Sequence, residues 1–118
     1  MALARGEAGR RAEALAAAFL AARGLVVVAR NFRCRRGEID IVARDGETLV
    51  FVEVRLRSRQ DFGGAAASIT AAKRSRLTAA ALFYLGRLAR TPPCRFDAVL
   101  LDALEAPRIE WLRDIIEG

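Results

Sequence analysis

Histidine is absent from all 118 residues. That absence excludes His-based catalytic triads, histidine general bases and His-ligated zinc. Lysine is nearly absent too: of 20 basic residues only Lys73 is lysine, leaving 19 arginines. Cysteine occurs twice, at Cys34 and Cys94, far apart and in no zinc-binding spacing. Such a pair is expected to be ordinary reduced thiols of a cytoplasmic protein. No apolar run approaches the length of a membrane span. The N-terminus, with Glu7 early and no apolar core, does not read as a secretory signal. A metal in this chain is therefore held by oxygen, which points to Mg²⁺ or Mn²⁺.

What is present centres on the stretch from Gly37 to Arg55, two apolar strands around Asp45-Gly46, a strong hairpin signal. With Asp45-Gly46 as a two-residue loop, Arg44 faces Glu47, Val42 faces Leu49, Asp40 faces Phe51 and Glu38 faces Glu53. Side chains alternate along a strand, so Glu38, Asp40, Glu53 and Arg55 emerge on one face. Asp40 and Glu53 are then diagonal neighbours. Three acids on one face of an apolar hairpin repel one another and are costly to desolvate. A bound divalent cation is the natural compensation.

The net charge of +6 favours a polyanionic partner, nucleic acid above all. Its placement says more than its total. Arg33, Arg35 and Arg36, with Arg30, flank one end of the hairpin. Arg55, Arg57 and Arg59 run off its second strand, and Lys73, Arg74 and Arg76 cluster on a later helix. Of these, Arg33, Arg35, Arg36, Arg57, Arg59, Lys73, Arg74 and Arg76 are the candidate nucleic-acid contacts.

Along the chain, an alanine-rich helix is expected over about 10–23, stopped by Gly24. Ala12, Leu15, Ala16 and Phe19 form its apolar stripe, with Glu13 on the shoulder and Glu7 pointing away. A first strand follows over 25–32, then a turn over 33–37 and the hairpin. Residues 58–67, with Gly63-Gly64, read as a loop. A second helix runs from Ser68 or Thr70 to about Arg90 and ends at Thr91-Pro92-Pro93. Strands are expected over 94–101 and 108–112, and one helical turn over 113–117. The order α-β-β-β-α-β-β predicts a single α/β domain over 1–118, its mixed five-stranded sheet flanked by helices, with the fourth strand parallel to the third.

Glu13, Gly37-Glu38-Ile39-Asp40, Phe51-Val52-Glu53-Val54-Arg55, Lys73 and Arg95-Phe96-Asp97 together resemble the YraN family of predicted bacterial endonucleases. The likeness covers nearly the whole chain. That family is grouped with the PD-(D/E)xK, restriction-endonuclease-like superfamily, which includes junction resolvases. The resemblance implies a restriction-endonuclease-like fold, Asp40 and Glu53 as the metal-binding pair and Glu13 as the first-helix acid. Arg55 stands where the superfamily has the lysine of Glu-x-Lys. That lysine positions or deprotonates water; arginine orients water and stabilises phosphate but is too basic to act as a base. The hydroxide attacks unaided, a lysine elsewhere substitutes, or the enzyme is inactive. Lys73, the only lysine, is the candidate substitute. Arg95 and Asp97 read as a structural ion pair.

The implied activity is Mg²⁺-dependent hydrolysis of DNA phosphodiester bonds, with branched or junction DNA among the expected substrates and a homodimer as the implied assembly. Two other readings stay open: a catalytically silent nucleic-acid-binding module, and an interaction protein with a vestigial cleft.

Overall fold

Alanine, leucine and the absence of proline carry the first helix, α1, over Ala2–Ala22, eight residues further toward the N-terminus than the stripe alone predicted. The computed structural model describes residues 2–56 and 70–116. Ala12, Ala16 and Leu20 are the buried line of α1, with Leu15 and Phe19 on its flank. Gly24 ends it at φ 94°, a conformation that suits glycine, while Gly24 N–H and Leu25 N–H bond back to Ala21 and Leu20.

Three strands follow as an antiparallel meander: β1 Val26–Cys34, β2 Gly37–Asp45 and β3 Thr48–Leu56. The second helix, α2, spans Ala71–Leu85, capped by the Thr70 hydroxyl, which accepts from Lys73 N–H at 3.2 Å. It ends at Gly86, short of the expected Arg90, and an irregular segment fills the gap to the prolines. β4, Cys94–Leu101, lies parallel to β3, and β5, Ile109–Leu112, antiparallel to β4. Sheet order equals chain order, β1-β2-β3-β4-β5. The α/β class and the α-β-β-β-α-β-β order are as expected.

The helices cover opposite faces. Ile41, Ala43, Val50, Val52, Val99 and Leu101 pack on α1, whereas Ile39, Val42, Leu49 and Phe51 pack on Leu77, Ala80 and Ala81 of α2. Burial on both faces explains why the hairpin reads as a near-continuous apolar run. The segment after β5 is not a helical turn. Asp114 takes φ 57°, Ile115 N–H bonds to Phe96 O at 2.7 Å, and Ile115 packs on Ala98 and Leu100. The expected loop at 58–67 lies outside the described residues.

Two local features shape the sheet. The β2–β3 loop is Gly46-Glu47 rather than Asp45-Gly46: Asp45 pairs with Thr48 and Arg44 with Leu49. Glycine at the first loop position, with φ 62°, matches a Gly-x turn, and the Asp45 carboxylate is occupied by Arg95 Nη1 at 3.0 Å. Moving the loop by one residue moves each cross-strand partner by two, so the faces are unchanged. Further back, β1 bulges between Val27 and Ala29, and Asn31 adopts φ 55°. Ile39 and Ile41, two residues apart on β2, pack on opposite faces, so the normal alternation breaks at Asp40.

Candidate functional site

The break at Asp40 builds the site. The β2–β3 ladder is paired up to Ile41 and Val52, and continuing its register sets Asp40 opposite Glu53. Instead of extending the ladder, Asp40 turns its side chain to β3, where Oδ2 accepts from Val54 N–H at 2.8 Å. The strands part beyond this point, and a cleft of about 590 Å³ opens at the end of the sheet. Gly9, Ala12 and Glu13 of α1, residues 33–38 and Asp40, residues 53–56, and Lys73, Arg76 and Leu77 of α2 line it.

Gly37 belongs to the site for a steric reason. A Cβ there would lie 2.8 Å from the Arg76 carbonyl carbon and closer still to its oxygen. Only glycine lets the backbone of α2 approach the start of β2 this closely. The contact brings Arg76 and Lys73 to the cleft.

The carboxyl groups of Asp40 and Glu53 share a hydrogen bond. Burial, that bond and the Asp40 charge push the Glu53 carboxyl up to about 9, against a smaller opposing pull from Arg55. The pair thus favours holding a proton between its carboxyl groups. Glu13 is also raised, first by burial and then by the Asp40 charge, with Arg30 and a hydrogen bond from Asn31 opposing. Its Oε1 is buried with no hydrogen-bond partner among the described residues, as is Arg55 Nε.

Two carboxyl groups in contact need either a shared proton or a cation between them. The pair therefore fits a hard divalent ion. Among the described residues no three aspartate, glutamate or cysteine side chains form a ligand group, so Asp40 and Glu53 would hold it with water completing the shell. That suits Mg²⁺, which keeps several waters.

The cleft collects Glu13, Asp40, Glu53, Arg55 and Lys73, and with them Arg33, Arg35, Arg36 and Arg76. Arg33 is partly engaged by exposed Glu38 at 3.4 Å. Arg74 lies on α2 outside the cleft lining, with Nε buried. Arg57 and Arg59 lie outside the described residues. Glu7 is exposed and apart.

Two contributors went unread in the sequence. Asn31 sits between the Arg30–Ile41 and Phe32–Ile39 pairs and hydrogen-bonds Glu13. Its signal was an asparagine inside an apolar strand run, a residue that tolerates the left-handed region. Gly37 closes the turn expected over 33–37, and only the packed structure shows that it also permits the close approach of α2.

Arg95 and Asp97 lie apart from the cleft. Asp97 is fully buried: Arg95 Nε donates to its two oxygens at 3.1 and 3.2 Å, Trp111 Nε1 to Oδ2 at 2.9 Å and Asp114 N–H to Oδ1 at 2.9 Å. Through Asp45, Arg95 also reaches the hairpin turn. This is a structural hub joining β2, β4, β5 and the C-terminal segment.

Comparison with known proteins gives a consistent answer. A UPF0102 protein of Nitrosospira multiformis is 54% identical over 109 residues, covering 92% of each chain. One from Methylobacillus flagellatus is 58% identical over 106 residues, 90% of this chain and 93% of its own. One from Cupriavidus taiwanensis is 58% identical over 112 residues, 93% and 82% respectively. The family model described as uncharacterised protein family UPF0102 matches residues 12–101, a span that contains Glu13, the acid pair, Lys73, Arg95 and Asp97. The chain belongs to the UPF0102 family.

Proposed function

We propose that this chain is a metal-dependent endonuclease that hydrolyses phosphodiester bonds of DNA, with branched and junction structures as the preferred targets. The observation that carries the reading is the Asp40–Glu53 pair, in mutual contact inside a cleft whose lining also includes five arginines and Lys73. The motif likeness to PD-(D/E)xK nucleases supports it. Mg²⁺ or Mn²⁺, when bound by Asp40 and Glu53, supplies polarisation of the phosphoryl oxygen and a more acidic water.

The chain's own residues do the rest. Asp40 and Glu53 would hold the cation in place of the proton between them, that proton passing to solvent. Glu13, with a free buried oxygen, orients water at the far wall. Arg55 balances charge on the phosphate, and its high basicity leaves it no role as a base. Lys73 grips the phosphate or supports the attacking water from the first turn of α2. Arg35, Arg36 and Arg76 hold the flanking backbone.

A second reading follows from the same pair. A proton alone satisfies Asp40 and Glu53, and arginine replaces the lysine of Glu-x-Lys, as in a nucleic-acid-binding module without catalysis. A cleavage assay on linear, nicked, flapped and four-way DNAs with Mg²⁺ or Mn²⁺ separates the two. The nuclease reading expects cleavage that Asp40→Asn and Glu53→Gln abolish, Lys73→Arg slows without loss of binding, and Arg55→Lys preserves or raises. Salt-sensitive binding with no cleavage under any condition leaves the silent module.

A further inference from the structure

A second groove adjoins the acid cleft. It lies between the β1–β2 turn and the outer face of α2, lined by residues 33–36 with Ala79, Leu82 and Phe83. Residues 33–36 also line the acid cleft, so the two hollows share a wall. The floor is apolar and open: Leu82 is 65% and Phe83 58% exposed, the two most exposed of the large hydrophobic side chains among the described residues. Phe83 is nonetheless positioned, its ring centroid 6.1 Å from that of Phe32, which in turn lies under the Arg87 guanidinium.

From this arrangement we infer that the groove receives an unpaired nucleobase, stacked on Phe83, of the DNA strand whose backbone enters the acid cleft. The inference rests on the nuclease or nucleic-acid-binding reading above and narrows its substrate class. An exposed aromatic ring with arginines at its rim is the chemistry that holds single-stranded nucleic acid, base on ring and phosphate on guanidinium. A base stacked within a duplex offers no free face, so the bound nucleotide is one outside the duplex, at a flap, gap or branch. A second copy of this chain fits the groove poorly. Across a two-fold contact, Arg33, Arg35, Arg36 and Arg87 would be brought toward the same arginines of the other copy. A polyanion removes that repulsion.

The test measures binding by fluorescence anisotropy, with Ca²⁺ replacing Mg²⁺ to hold back cleavage. The probes are a fully paired duplex and a matched duplex with a short single-stranded gap carrying 2-aminopurine. The wild-type chain is expected to prefer the gapped DNA and to quench the 2-aminopurine. Phe83→Ala should lose about tenfold on the gapped DNA, with no change on the duplex, and abolish the quenching. Phe83→Trp should retain both, which separates stacking from a folding defect. Equal affinity for both DNAs, unaltered by Phe83→Ala, overturns this inference and leaves the proposed function standing. No binding to either DNA removes both. A wild-type dimer in sedimentation that Phe83→Ala dissociates, with DNA affinities unchanged, reassigns the groove to contact between copies and overturns the inference.

Discussion

Replacing Glu53 with glutamine should stabilise the metal-free protein and flatten its dependence on pH. The folded-state carboxyl is raised from 4.5 to about 9, by burial and by Asp40. Between those values the folded chain holds a proton that the unfolded chain has released. Stability is then greatest below the unfolded value and falls as pH rises toward the folded one, by at most about 1.4 kcal/mol per pH unit. From pH 5.5 to 7.5 the loss is at most about 3 kcal/mol, or roughly 10 °C in melting temperature for a chain of this size. Glutamine keeps the shape and a hydrogen-bond donor toward Asp40 but has no proton to lose. The assay is a series of thermal melts in EDTA across this range for wild type and Glu53→Gln. The two curves should diverge with rising pH, Glu53→Gln melting higher. Mg²⁺ should restore the wild type increasingly toward high pH and act less on the variant, because cation and proton compete for the same oxygens. Parallel curves would refute the claim that Glu53 stores a proton against Asp40.

Two further outcomes concern the frame that carries the site. Gly37→Ala should cost about 1–3 kcal/mol in urea melts, because its Cβ meets the α2 backbone at Arg76 rather than a yielding side chain; an unchanged midpoint would mean that α2 is less tightly seated than described. Asp97→Ala should cost about 3–5 kcal/mol, stranding Arg95, Trp111 Nε1 and the Asp114 N–H together. Loss of near-UV signal from Trp111 should accompany it, and a fully stable variant would show that the hub is dispensable.

Much of this architecture could be read from local pattern. Period-two alternation set the faces of the paired part of the hairpin, and the loop's sitting one residue further on leaves those faces unchanged, because the displacement is even in partner number; at Asp40 the alternation breaks. Apolar runs bounded by Gly24, Gly46 and the Pro92-Pro93 pair marked the strands, since those residues act on their own backbone. The 3.6-residue period put Glu13 on the edge of a buried stripe, although Leu20 rather than Leu15 proved central.

Tertiary contacts decided what no local pattern encodes. The loop register depends on Asp45 meeting Arg95 from a strand some 50 residues later. The opening of the cleft depends on Asp40 satisfying Val54 N–H with its side chain and on Asn31 taking φ 55° beside it. The requirement for glycine at Gly37 exists only once α2 packs there. The proton on Glu53 comes from burial and from Asp40 across the ladder, both products of the fold. The sequence determines which groups are available and on which face of each element they stand. Packing sets how far they are from one another and from water, and those distances govern charge, protonation and the chemistry open to the cleft.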